Sequence, residues 1–311
     1  MKYRALGSSD VKVSEISLGC WTMGGLNWVN GTANGWAKVN EDEITAAIKR
    51  AVEAGVNHFD NADAYGNGRA ELMLARVLKR LGLKSTDFVI ATKMGHFPGT
   101  ASHAYEPLHI RHQCEQSLQN LGRDYIDLYY LHHGDFGPKG EWLQGAADTL
   151  NALVAEGKIR LKGQSAYSEE HFARAVPVVK PMVLQSWANA LARDFIRPGG
   201  VVPRLLAEHR MSFVAFSPLA QGCCWTSSTR PSRRPSRRAT TGATAAGSRR
   251  KNSKPCNPSW RSSRRASGRP PRISRRWRSV ICSASQTWRA SSPVSATSAK
   301  WPAISPPLGA S

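Results

Sequence analysis

Asp60, Tyr65, Lys93 and His132 are the residues whose types and placement in this chain could move a proton. A phenol with an ordinary pKa near 10 is a poor acid at neutral pH. A neighbouring ammonium favours the phenolate and draws that pKa down, and a carboxylate holds the ammonium charged and in place. Tyrosine then becomes a usable general acid. Taken singly, each residue has a plainer explanation: a loop tyrosine packs, a lysine ending a strand is solvated, a histidine is satisfied in the core. Their shared placement argues otherwise. Asp60, Lys93 and His132 end three successive apolar runs, and Tyr65 follows Asp60 within FDNADAYG, residues 59–66.

Those runs belong to a regular alternation over residues 1–222. Strands are predicted at Ile16–Gly19, Val56–Asp60, Phe88–Lys93, Tyr125–His132, Leu161–Ser165, Met182–Gln185 and Ser212–Ser217. Helices are predicted between them at Glu41–Ala54, Ala70–Leu81, Pro107–Leu121, Glu141–Glu156, Ser168–Val176 and Val201–Arg210, several stopped by glycine. Seven strands with intervening helices imply βαβ units on a parallel sheet. An open doubly wound sheet and a (β/α)8 TIM barrel both fit that pattern. No GxGxxG follows the first strand, which weakens the open dinucleotide-binding form. Asp60, Lys93, His132, Ser165, Gln185 and Ser217 each end a different run, and only a barrel brings such ends to one mouth. The α/β barrel is therefore expected, with Tyr3–Leu6 and Val11–Ser14 as a hairpin plugging its other end. His133 alternates away from His132 on an extended strand, so His132 is the residue expected in the mouth.

On LGCWTMGG (18–25), FDNADAYG (59–66), ATK (91–93), DLYYLH (127–132), GKIR (157–160), Gln185 and FSPLAQG (216–222), residues 1–222 resemble the aldo/keto reductase family. The resemblance implies a (β/α)8 barrel that reduces an aldehyde or ketone with NADP(H). It also implies roles. Tyr65 protonates the carbonyl oxygen, Lys93 lowers the Tyr65 pKa, Asp60 pairs with Lys93, and His132 orients the substrate oxygen. Cofactor contacts carry over to Thr22, Met23, Asp60, Ser165, Gln185, Phe216, Ser217, Pro218, Leu219, Gln221 and Gly222. Where the family has a Ser-Asn pair, this chain has Ser165-Ala166, losing one side-chain hydrogen bond worth about 1 kcal/mol. The partner expected is a small carbonyl compound.

Charge divides the chain at Gly222. All 22 Asp and Glu precede that point, whereas 19 of the 43 Lys and Arg follow it. Residues 223–311 are rich in Arg, Ser, Pro and Ala, lack helical or strand periodicity, and read as a basic, disordered, low-complexity segment. The barrel's eighth strand and the grip on the cofactor's 2′-phosphate are expected in that segment, and nothing there resembles them. The barrel is thus expected to be incomplete at the eighth strand. Read one base out of register with GC-rich codons, the stretch after Gly222 becomes LLLDKFDP, which suggests a reading-frame change at that codon. The rival reading is a polyanion-binding appendage, with Arg clusters for phosphate and five Trp for stacking. No recognisable nucleic-acid module repeats there, so incidental polyanion contact is expected and no selected nucleic-acid partner. The six cysteines lack metal-ligand spacing, so no metal is expected. No apolar run is long enough to span a membrane, and a cytoplasmic location is expected.

Overall fold

The computed structural model describes residues 1–29, 32–220 and 285–287. A hairpin of β1 (Tyr3–Ala5) and β2 (Lys12–Ser14) comes first, followed by β3 (Ser17–Gly19) and a second hairpin, β4 (Leu26–Val29) with β5 (Thr32–Gly35). Six helix–strand units then succeed one another. They are α1 (Glu41–Glu53) with β6 (His58–Asp60), α2 (Arg69–Arg80) with β7 (Val89–Met94), and α3 (Pro107–Leu121) with β8 (Ile126–Leu131). The other three are α4 (Leu143–Ala155) with β9 (Ile159–Ser165), α5 (Glu169–Val179) with β10 (Val183–Trp187), and α6 (Val201–Glu208) with β11 (Ser212–Phe216). The last described element is β12 (Ser285–Thr287).

β3, β6, β7, β8, β9, β10 and β11 form a parallel sheet in chain order, as the alternation predicts. β12 pairs in parallel with the free edge of β3, and SQT has no apolar alternation that would mark it as a strand. No ladder joins β11 to β12 among the described residues. The sheet is curled, because Gln185 Nε2 on β10 donates to Asp60 Oδ1 on β6 at 3.3 Å. In a flat sheet, strands four places apart stand roughly 19 Å from each other. The remaining expectations for residues 223–311 lie outside the described residues.

Two apolar layers hold the sheet. Inside it, Leu6, Val11 and Val13 from the first hairpin pack with Val89, Ala91, Leu128, Tyr130, Val183 and Val214, closing the N-terminal end as expected. Gly163 makes room there: a Cβ on β9 would enter the Tyr130 ring. Outside, α1 to α4 bury Ile44, Ile48, Leu74, Val77, Ile110, Cys114, Leu150 and Leu153 against the sheet. Asn40 caps α1 by accepting from the Asp42 and Glu43 amides at 2.9 and 3.2 Å, and the acidic first turn complements the helix dipole.

Element ends differ little from those predicted, and the differences have causes. α5 runs through Pro177 to Val179, past the expected end at Val176. Burial of Val176 and Val179 outweighs the local cost of the proline. The β4–β5 hairpin was not predicted, since its residues carry no period-2 apolar pattern.

One residue in each of two sequence motifs, Asp127 and Arg160, turns out to be structural. Asp127 of DLYYLH is buried and accepts from Arg123 at 2.9 Å, from the Ile90 amide at 2.9 Å and from Arg160 of GKIR at 3.1 Å. Arg123 also donates to the Ser85 and Phe88 carbonyls, tying β8 to the segment entering β7. Breaking a buried pair leaves an uncompensated charge. Asp127→Ala is therefore expected to cost about 3–5 kcal/mol of unfolding free energy in a urea titration. Arg160→Ala, at a half-exposed guanidinium, should cost about 1 kcal/mol or less.

Candidate active site

Three consecutive parallel strands place the chemical groups. Asp60 ends β6 and is in register with Ala91, so Lys93, two residues further along β7, stands above the carboxylate. The Lys93 ammonium, 1% exposed, lies 2.9 Å from Asp60 Oδ1. It also donates to the Asn61 carbonyl at 2.6 Å and to the Tyr65 hydroxyl at 3.2 Å. His132, just beyond β8, continues the ladder by donating its amide to Met94 O at 2.9 Å. Its ring meets Tyr65 edge-on with centroids 5.9 Å apart. His133 is held elsewhere, with its ring against the Gly95 carbonyl and its backbone exchanging hydrogen bonds with the Tyr105 hydroxyl.

The Tyr65 loop is fixed from the side of the first strand. After β3, residues Trp21–Gly24 form a single 3-10 turn, and Trp21 packs against the Tyr65 ring at 6.4 Å. Gly24 and Gly66 lie back to back: a Cβ on either would collide with the other's loop, and Gly66 also has φ +65°. Arg69 at the start of α2 donates to the Gly24 carbonyl at 2.9 Å. LGCWTMGG and FDNADAYG are thus one interlocked unit. Trp21 and Asn61 have structural parts here that the sequence reading did not assign, although each adjoins a residue it did.

Burial governs the protonation states. It pushes the Tyr65 phenol up to about 12; Lys93 pulls the value down, and Asp60 pushes it up. The direction expected from Lys93 is present, but desolvation exceeds it, so the phenol remains protonated across the neutral range. Burial also works against the Lys93 ammonium, yet Asp60 and Tyr65 outweigh it and hold the lysine above its usual value. His132 is held well below the usual histidine range by burial, then by His96 and Lys93. It is a neutral imidazole, and its Nδ1 has no hydrogen-bond partner among the described residues. A group with a raised folded-state pKa stabilises the fold below its unfolded value, and that contribution is lost as pH rises through the folded value. Tyr65 should thus titrate near 12 by tyrosine Cζ NMR and weaken folding between about pH 10 and 12. Replacing Lys93 with Met should move that titration higher.

The residues expected to hold a cofactor lie around this centre. Ser165 and Gln185 are register partners on β9 and β10, both buried. Phe216 at the end of β11 meets Tyr167 at 6.2 Å and Trp187 at 6.4 Å, forming an aromatic wall. Ser217 takes φ +54°, turning the chain through Pro218 and Leu219, and the Ala220 amide closes the turn on Ser217 O at 2.9 Å. Asn189 supports that turn by donating to the same carbonyl at 3.2 Å. Thr22 and Met23 lie buried in the 3-10 turn, and the Met23 side chain is part of the outer core. Gln221 and Gly222 fall outside the described residues. An amide, a hydroxyl and an aromatic wall on adjacent strand ends suit a planar ring that carries a carboxamide. Among the described residues, no cluster of three or more His, Cys, Asp or Glu could hold a metal.

A curled parallel sheet with helices outside, and a buried Asp–Lys–Tyr group where its strands end, defines a barrel enzyme of the α/β class. The sequence model of the aldo/keto reductase family matches residues 15–279, and the chain belongs to that family. It is 29% identical over 229 residues to a probable voltage-gated potassium channel subunit beta of Arabidopsis thaliana, covering 71% of this chain and 65% of that one. It is 30% identical over 230 residues to an uncharacterized oxidoreductase of Bacillus subtilis, covering 71% and 66%. The chain thus spans just under two thirds of these relatives' own lengths. The holo form of an aldo-keto reductase from Bacillus halodurans superposes with a TM-score of 0.58 at 26% identity, over 76% of this chain and 70% of that one.

Proposed function

We propose that this chain reduces an aldehyde or ketone to the alcohol with NADPH, using Tyr65 as the general acid. The observation that carries the reading is the Lys93 ammonium, 2.9 Å from Asp60 and 3.2 Å from the Tyr65 hydroxyl. When bound, the cofactor supplies the hydride that the carbonyl carbon accepts. Tyr65 stays protonated at neutral pH and so has a proton to give the carbonyl oxygen. Lys93 lowers the cost of the phenolate left behind, and Asp60 keeps the ammonium in place while it does so. His132, neutral, offers an N–H to the same oxygen and fixes the direction from which the Tyr65 proton arrives.

Gln185 and Ser165 would hold the carboxamide and Phe216 one face of the nicotinamide ring. Thr22 and Met23, in the loop after β3, would also touch the cofactor, and Ser217, Pro218 and Leu219, with Gln221 and Gly222, would hold its pyrophosphate. Ala166, where a second amide would sit, removes one contact and weakens binding without abolishing it. No helix among the described residues is long and apolar enough to cross a membrane, and Cys20 and Cys114 are free and buried. A cytoplasmic location and a small carbonyl compound as partner are part of the proposal. The basic segment after Gly222 is proposed to contact polyanions through charge alone, in a salt-sensitive way.

A second reading, a reductase fold with low turnover, is favoured by relatives that match only 71% of this chain. NADPH fluorescence titration alongside a carbonyl-reduction assay separates the two. Tyr65→Phe is expected to keep cofactor affinity and lower kcat by about 10²–10⁴-fold. Reduction that survives this substitution would rule out the assigned acid.

A further inference from the structure

A cleft of about 280 Å³ lies between α2 and α3 and shares no lining residue with the Asp60–Lys93–Tyr65 group. Asp63, Asn67, Glu71, Phe97, Gln116 and Asn120 are among its walls, and no Lys, Arg or His lines it. Acceptor oxygens therefore dominate: two carboxyls, with carboxamides around them. Asp63 is 9% exposed, and its Oδ1 has no hydrogen-bond partner among the described residues. Glu71 is buried and held from two elements, accepting from the Thr92 hydroxyl on β7 at 2.6 Å and from Asn120 Nδ2 on α3 at 2.9 Å. A carboxylate has about four lone-pair sites, so Glu71 keeps room for a further donor. Burial, then Glu71, pushes the Asp63 carboxyl well above its usual range, and burial raises Glu71 as well. A positive charge entering the cleft would offset that cost.

The chemistry of the walls selects the occupant. An anion would meet two acids of its own sign. A calcium ion takes six to eight oxygens at about 2.3–2.6 Å, and a cleft of this volume does not close around one. A primary ammonium brings three donors on one charged nitrogen. Phe97, half-buried in the wall, offers an attached alkyl chain an apolar surface.

We propose that this cleft binds a short primary alkylammonium, such as a linear diamine, with Asp63 and Glu71 accepting from its charged nitrogen. The site does not depend on the carbonyl-reducing assignment. It does adjoin the loop that carries Tyr65: the Asp63 amide donates to the Lys93 carbonyl at 2.9 Å, and the Asp63 carbonyl accepts from the Gly68 amide at 2.7 Å. An occupant would brace that loop without entering the catalytic mouth.

The test is isothermal titration calorimetry of the full chain with putrescine, with butanediol as its uncharged match and calcium chloride and magnesium chloride as the metals alone. One putrescine per chain is expected, with affinity lowered about tenfold or more by Asp63→Asn. Gln116→Lys, at an exposed position on the cleft, brings in a tethered ammonium that should compete with putrescine and weaken it likewise. That substitution removes no buried group, so it decides the matter if Asp63→Asn does not fold. Absence of binding, or an affinity that the folded variants leave unchanged, overturns the proposal. Butanediol binding as tightly as putrescine overturns it too, because the charge would then play no part. A metal salt that binds where putrescine does not would equally overturn the ammonium assignment.

Discussion

The Lys93 ammonium is buried, and much of the molecule is arranged around that fact. Removing such a charge from water costs several kcal/mol unless its partners replace the lost hydration. Asp60, the Asn61 carbonyl and the Tyr65 hydroxyl supply that replacement. Each partner depends on a different feature of the fold: the register of β6 with β7, the turn after β6, and the interlock of Gly24 with Gly66. Gln185 reaches the same carboxylate from β10, so the curl of the sheet and the charge balance at Lys93 are coupled. A sheet that opened would leave Asp60 with one donor fewer at the point where its charge is most needed.

One buried cation sets the character of its surroundings. It helps keep His132 and His96 neutral, which turns both from charges into donor–acceptor groups. It also offsets part of the desolvation that raises the Tyr65 pKa, so the phenol is protonated at rest and its anion is supported when the proton leaves. Proton donation here is less a matter of a low resting pKa than of a charge already positioned where the phenolate forms.

The order and number of the strands in the parallel sheet, β3 and β6 to β11, were legible because they are short apolar runs separated by amphipathic helices. Asp60, Lys93 and His132 were legible because they interrupt such runs at their ends. Other features were not. His96 lies in an irregular loop with no periodicity to mark it, and the β4–β5 hairpin lacks apolar alternation. DLYYLH and GKIR could be recognised as motifs, but nothing in the spacing says that Asp127 and Arg160 meet. Their role in supporting the sheet emerges only when β8 and β9 are paired. The downward pull of Lys93 on the Tyr65 pKa was legible, but the larger upward effect of burial was not, since residue types reveal a neighbouring charge but not how deeply a phenol is buried.

Local composition by itself determined the segments of β3 and β6 to β11, that helices separate most of them, and which strand ends carry a carboxylate, an ammonium and an imidazole. Those properties follow from hydrophobic period and residue type, which act over a few neighbours in the chain. Tertiary structure alone decided distances: Gln185 against Asp60 across 125 residues of chain, Trp21 against Tyr65, His96 against His132. It also decided protonation, because desolvation depends on everything packed around a group and not on the group's neighbours in sequence. The physical reason is the same in both cases: a parallel sheet must curl before its strand ends share one low-dielectric mouth.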